Sequence, residues 1–145
     1  MPYATALGML ENTPLEMAGQ SAIGFHGAIA YYEYNGLALD ASEGERMAQA
    51  LGNKSVLMLR NHGVLVVGSF AAQAFERLYF LERACQAQLL ALSTGRALHI
   101  VPQAVVEATA AQFRACTHVG GAGRSELHFE ALKRQLDSSE ADYAR

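Results

Sequence analysis

Cysteine is scarce in this sequence: Cys85 and Cys116 are the only two, far apart and without Cys-x-x-Cys spacing. That excludes a disulfide framework or a zinc knuckle and suits two buried thiols in a reducing compartment. Basic residues are missing before Arg46, whereas Glu11, Glu16, Glu33, Asp40, Glu43 and Glu45 precede it. A secretory leader has a basic start and a transit peptide is Arg-rich, so the first residues are expected to be neither. No apolar run approaches the ~20 residues that span a bilayer. The net charge of −3 leaves no basic footprint for nucleic acid. Also absent are a Gly-x-Ser-x-Gly elbow, a His-Glu-x-x-His helix and a dinucleotide fingerprint. The expectation is a cytoplasmic protein with neither nucleic acid nor membrane as partner.

What is present is a globular composition, 51% hydrophobic and 17% charged, in 145 residues that suit one domain over 1–145. Residues 1–11 suit a helix, with Ala4, Leu7, Met9 and Leu10 apolar and Pro2 in a tolerated first-turn position. Residues 15–25 read as a loop with a short helix, and the aromatic stretch 27–34 as a strand ending at the turn Asn35-Gly36. Ser42 and Glu45 match a capping box for a helix that Gly52 stops. Ser69 reads as the N-cap of the longest helix. Its inward face is Ala71, Ala74, Phe75, Leu78, Leu81, Cys85, Leu89 and Leu92, with Gln73, Glu76, Arg77, Arg83 and Gln86 opposite. A further helix follows Pro102 with Val105, Val106, Ala110 and Phe113 inward. The last, over 125–136, offers Leu127, Phe129, Leu132 and Leu136 for docking, before a polar tail at 138–145. Helices packed on a few strands define an α/β layer arrangement.

The chain is organised around Lys54–Ser69, KSVLMLRNHGVLVVGS. Two short apolar runs, 56–59 and 64–67, flank Arg60-Asn61-His62-Gly63 and read as strands. A neutral imidazole held there is placed to ligate a metal, its second nitrogen fixed by a hydrogen bond. The competing reading is a hairpin with Asn61-His62-Gly63 as an ordinary loop.

Other candidates carry less. The glycines at 120–123 lack the Lys-Ser/Thr of a phosphate-binding loop and read as a turn before the last helix. His26, His99, His118 and His128 share no spacing that aims two at one ion, although His26 could approach His62 in space. Cys85 lies on an apolar stripe and reads as a packed thiol. Tyr31, Tyr32 and Tyr34 alternate on a strand and suit an edge that packs or makes a subunit contact.

LRNHGVLVVG followed by LYFLERACQAQ (Leu78–Gln88) resembles the class II aldolase/adducin domain family, as do NGLALDASEGERMAQALGNKSVLMLRNHGVLVVG and LHFEALKRQLDSSEADYAR. The resemblance is to the bacterial adducin-like branch and covers nearly the whole chain. It implies a three-layer α/β/α sandwich, usually assembled as a cyclic homotetramer. It also implies zinc or another divalent metal bound by three histidines. Two come from a His-x-His pair, and the third maps onto His62. The ion acts as a Lewis acid on a carbonyl and stabilises an enediolate. Substrates are typically sugar phosphates, such as fuculose 1-phosphate or ribulose 5-phosphate, cleaved or epimerised. MPYATALGMLE resembles the segment directly after the His-x-His pair, and no such pair occurs here. The expectation is therefore the C-terminal portion of an N-terminally truncated domain, with His62 as its metal residue, no complete catalytic set and no catalysis by this chain alone. A catalytic zinc needs three protein ligands plus water. An adducin-like binding or scaffold module is the alternative. A third possibility is a site completed between subunits by His62 and His26.

Overall fold

Three short strands form the main sheet: β1 (Ile29–Tyr32), β2 (Val56–Leu59) and β3 (Gly63–Val66). The structure is a computed structural model and describes residues 1–37, 41–116, 118–119, 122–140 and 142. β2 is central. It runs parallel to β1, Ile29 beside Val56 and Tyr32 beside Leu59, and antiparallel to β3, Val56 opposite Val66 and Leu59 opposite Gly63. A parallel pair needs a crossover, and α3 (Ala41–Leu51) lies within it. β1 is an edge strand, as its alternating tyrosines suggested.

Alternation along the strands sorts the two faces. Val56 and Met58, with Ile29, Val64 and Val66 around them, pack against α1 (Pro2–Gly8) and α4 (Ala71–Leu92). Ala4, Leu7, Val56, Met58, Leu81 and Cys85 are each at most 1% exposed there. Leu57, also fully buried, points to the other face, where α3 packs on β1 and β2. Helices on both faces give the expected α/β/α layers. α2 (Gln20–Ile23) and α5 (Gln103–Ala115) share a smaller cluster of Ile23, Val106 and Ala110. α6 (Arg124–Ser139) lies along α4, with Phe129 edge-on to Phe75 at 5.6 Å and His128 edge-on to Tyr79 at 4.8 Å.

Several local expectations are corrected. The buried face of α4 is Ala72, Glu76, Leu81, Ala84, Cys85 and Gln88, so Glu76 is inward while Ala71 and Phe75 are exposed. The reason is that α4 is covered from several sides, by α1, α2, α6 and the sheet. A single stripe does not describe a helix packed that way. Val105, Leu127 and Leu136 are exposed rather than docked. α1 ends at Gly8, leaving Met9 and Leu10 exposed. α3 starts at Ala41, which puts Ser42 inside the first turn, its hydroxyl accepting from Arg46 at 3.0 Å. Phe70 rather than Ser69 caps α4, and the Ser69 N–H donates to Gln73 Oε1 at 2.9 Å. Gly68 is required just before this point, because a Cβ there would lie 2.7 Å from the Ala74 nitrogen. A second, two-stranded sheet of β4 (His118–Val119) and β5 (Ala122–Gly123) leads into α6 and was not foreseen. Gly120, Gly121 and half of the polar tail, residues 141 and 143–145, lie outside the described residues.

Candidate metal residue at the hairpin turn

The two apolar runs do form a hairpin, and the polar insert is its turn. The His62 N–H donates to Leu59 O at 3.1 Å, closing a turn over residues 59–62. Asn61 takes the left-handed backbone, with φ of +56°. Asparagine tolerates that region because its short polar side chain can bond locally. The imidazole of His62 is exposed at this turn.

The turn is fixed from two sides. The Asn61 N–H donates to Gly8 O at 3.3 Å, joining the turn to the end of α1, and Arg60 N–H donates to Tyr32 O at 2.9 Å, joining it to β1. Arg60 Nη1 also donates to Leu10 O at 3.1 Å, and its guanidinium lies 5.2 Å from the centre of the Tyr31 ring. Glu33 adds a long ion pair to Arg60 at 3.9 Å. The Tyr31 hydroxyl accepts from Leu15 N–H at 2.9 Å. Burial pushes the Tyr31 phenol above its ordinary value, against the lowering effects of the Leu15 amide and the Arg60 charge. Tyr31 is thus a neutral packing residue.

α1 is anchored in turn by α4. Both oxygens of Glu82 accept at 2.9 Å, Oε1 from Tyr3 N–H and Oε2 from Ala4 N–H, satisfying two orphan amides at the start of α1. Two turns further along α4, Gln88 accepts from Glu16 N–H at 2.7 Å and donates to Pro14 O at 2.8 Å. The LERACQAQ segment (81–88) is therefore a clamp: Glu82 and Gln88 hold the first sixteen residues, and Cys85 between them fills the core. Sequence reasoning did not assign these two roles. The available signal was a polar residue at helical spacing beside a buried cysteine.

Among the described residues, no three His, Cys, Asp or Glu side chains are grouped to hold a metal ion. One imidazole does not fit a zinc centre, so these residues alone do not complete one. His26 does not approach His62 within the chain. His26 precedes the start of β1 and His62 follows the end of β2, and because these strands are parallel the two lie at opposite ends of the sheet. His128 packs among Phe75, Tyr79 and Phe80. Cys85 is buried and its thiol is pushed up to about 12, chiefly by burial and then by the Glu82 charge, so it is a packed thiol and not a nucleophile. Cys116, expected to be buried, is exposed just beyond α5. Among the described residues no helix is long and apolar enough to cross a membrane.

A parallel strand pair extended by a histidine-bearing hairpin, between helices on both faces, defines an α/β protein of the class II aldolase type. The chain belongs to the family described as Class II Aldolase and Adducin N-terminal domain, whose model matches residues 1–89. A Caulobacter vibrioides protein provisionally named an aldolase class 2 protein is 40% identical over 118 residues, covering 80% of this chain and 44% of that one. An adducin-related protein of Schizosaccharomyces pombe is 30% identical over 98% of this chain and 44% of its own length. The chain thus spans less than half the length of these curated relatives. An aldolase II superfamily protein from Pseudomonas syringae superposes with a TM-score of 0.88 at 37% identity, over 100% of this chain and 57% of that one. An L-fuculose 1-phosphate aldolase from Glaciozyma antarctica shares the fold, with a TM-score of 0.69 at 24% identity over 94% of this chain and 50% of that one.

Proposed function

We propose that these residues are the C-terminal portion of a class II aldolase/adducin-like domain and contribute one ligand, His62, to a zinc or other divalent-metal centre whose other ligands they do not supply. The observation that carries this reading is the exposed imidazole on a turn fastened to both α1 and β1. A side chain without a buried partner, on a backbone held that firmly, suits a ligand position better than a mobile loop does. For a completed domain the reaction class is aldol cleavage or epimerisation of a sugar phosphate or related carbonyl compound. The reading places the protein in the cytoplasm as a homo-oligomer, a tetramer by family. Alone, the 145 residues are inactive.

The test begins with the intact mass of the endogenous protein and its metal content. The expected result is a mass well above 15.6 kDa, with one divalent ion per chain that His62→Ala removes. Tight one-to-one metal binding by the 145-residue chain itself would overturn the incomplete centre. A metal content unchanged by His62→Ala would overturn the ligand.

The likeness to the Schizosaccharomyces pombe adducin-related protein along 98% of this chain supports a second reading, a non-catalytic binding or scaffold module. That reading requires the endogenous protein to bind its partner with no divalent ion present.

A further inference from the structure

One cleft lies remote from His62, which is not among its lining residues. β3 runs away from the hairpin turn, and at its far end the chain enters α4, whose residues Gln73, Glu76, Arg77 and Phe80 line one wall of a cleft of about 660 Å³. α2 lines another wall, and the end of α5 with the start of α6 completes it. That volume lies within the roughly 300–1,000 Å³ of small-molecule sites.

The cleft's charges are unevenly engaged. Glu76 is 8% exposed and is neutralised by Arg124 at 3.3 Å, and Arg124 also lies 6.0 Å from the centre of the Phe113 ring. Arg77 donates to Val67 O, which fixes its position and leaves its charge unpaired by any carboxylate among the described residues. Arg114 has neither an ion-pair nor a hydrogen-bond partner among the described residues. Glu126, at the first turn of α6, is the other carboxylate among the described lining residues, so guanidinium groups outnumber carboxylates there in a chain that is acidic as a whole. Beside these cations stand two exposed rings, Phe70 at 45% and Phe80 at 38%. The second cavity, about 500 Å³, offers no such pairing, because alanines make up much of its wall and Gln88 there is committed to Pro14 and Glu16.

We propose that the cleft between α2, α4, the end of α5 and the start of α6 binds a small organic anion, an aromatic ring carrying a phosphate or carboxylate. Arg114 and Arg77 take the anionic group, and Phe70 and Phe80 take the ring. Guanidinium groups match both oxyanions in geometry, and exposed rings beside them gain by covering an apolar surface. The Glu76–Arg124 pair keeps the cleft floor from presenting a bare carboxylate to the anion.

Titration calorimetry with phenyl phosphate, benzoate and inorganic phosphate tests this. Phenyl phosphate or benzoate should saturate one site per chain and bind at least about tenfold tighter than inorganic phosphate, the difference that ring burial supplies. Which of the two is tighter identifies the anionic group. Arg114→Gln, an exposed change at a helix end, should weaken that binding about tenfold without lowering the melting temperature appreciably. Phe80→Ala should weaken the ring-bearing probes and leave inorganic phosphate unaffected. Absence of saturable binding by both ring-bearing probes would overturn the proposal, as would equal affinity in Arg114→Gln. Loss of binding in His62→Ala would also overturn it, by moving the site to the opposite end of the sheet. The outcome is independent of whether His62 holds a metal.

Discussion

The part of the chain matched by the family model and the part that follows it are held together differently. Every residue of the main core cluster, from Ala4 and Leu7 to Leu81 and Cys85, lies within residues 1–89, and that cluster joins α1, α2 and α4 to the sheet. Beyond it, α5 contributes Val106 and Ala110 to a cluster of three, and the buried residue on α6 is Ser125. α6 instead meets α4 through rings, Phe129 on Phe75 and His128 on Tyr79, while its Leu127 and Leu136 stay exposed. The contrast teaches that the first part is built as one packed unit, while the last two helices are laid against it. Buried apolar area sets the cost of disturbing each.

The largest expected effect breaks the first part. Leu81→Ala should cost about 2–5 kcal/mol, since it empties a fully enclosed position in a close-packed core. Urea unfolding followed by circular dichroism measures it. Glu82→Gln comes next, at about 1–3 kcal/mol, because an amide has one acceptor oxygen where the carboxylate has two, and an amide of Tyr3 or Ala4 is left unpaired. Faster hydrogen exchange at those two amides, with α6 unchanged, would localise the loss to α1.

Cys85 and Cys116 sharpen the same comparison by chemistry. In the native protein iodoacetamide at pH 8 should modify the exposed Cys116 and spare Cys85, and both should react in urea, as mass spectrometry would show. The folded thiol of Cys85 titrates near 12 against 9.0 for an ordinary thiol. Between those values the unfolded chain has released a proton that the folded chain keeps, so Cys85 makes stability fall as pH rises above 9 and leaves it flat below. Cys85→Ala should remove that part of the slope. The smallest effect belongs to α6: Leu127→Ala and Leu136→Ala, at 45% and 38% exposure, should each change stability by less than about 0.5 kcal/mol. A large loss from either would erase the distinction between the two parts.

Much of this architecture is legible in the residues themselves. The apolar runs at 56–59 and 64–67, the turn chemistry between them, Gly52 as a helix stop with φ of +53°, and the long helix after Gly68 all follow from local pattern and backbone preference. The family follows from LRNHGVLVVG and LERACQ, and the α/β layers agree with it. His62 is legible as the distinctive polar residue of the central hairpin, while its exposure, and the lack among the described residues of a three-ligand group, are not. Its distance from His26 was set by the parallel direction of β1 and β2, a pairing of segments well separated in sequence. The inward turn of Glu76, the clamp by Glu82 and Gln88, and the cleft beside Arg114 likewise arose from which helices lie across α4. Periodicity reports the polarity of each face of one element. Which face is covered, and by what, is fixed only when the elements pack, because burial and hydrogen-bond satisfaction belong to pairs of surfaces and not to single segments.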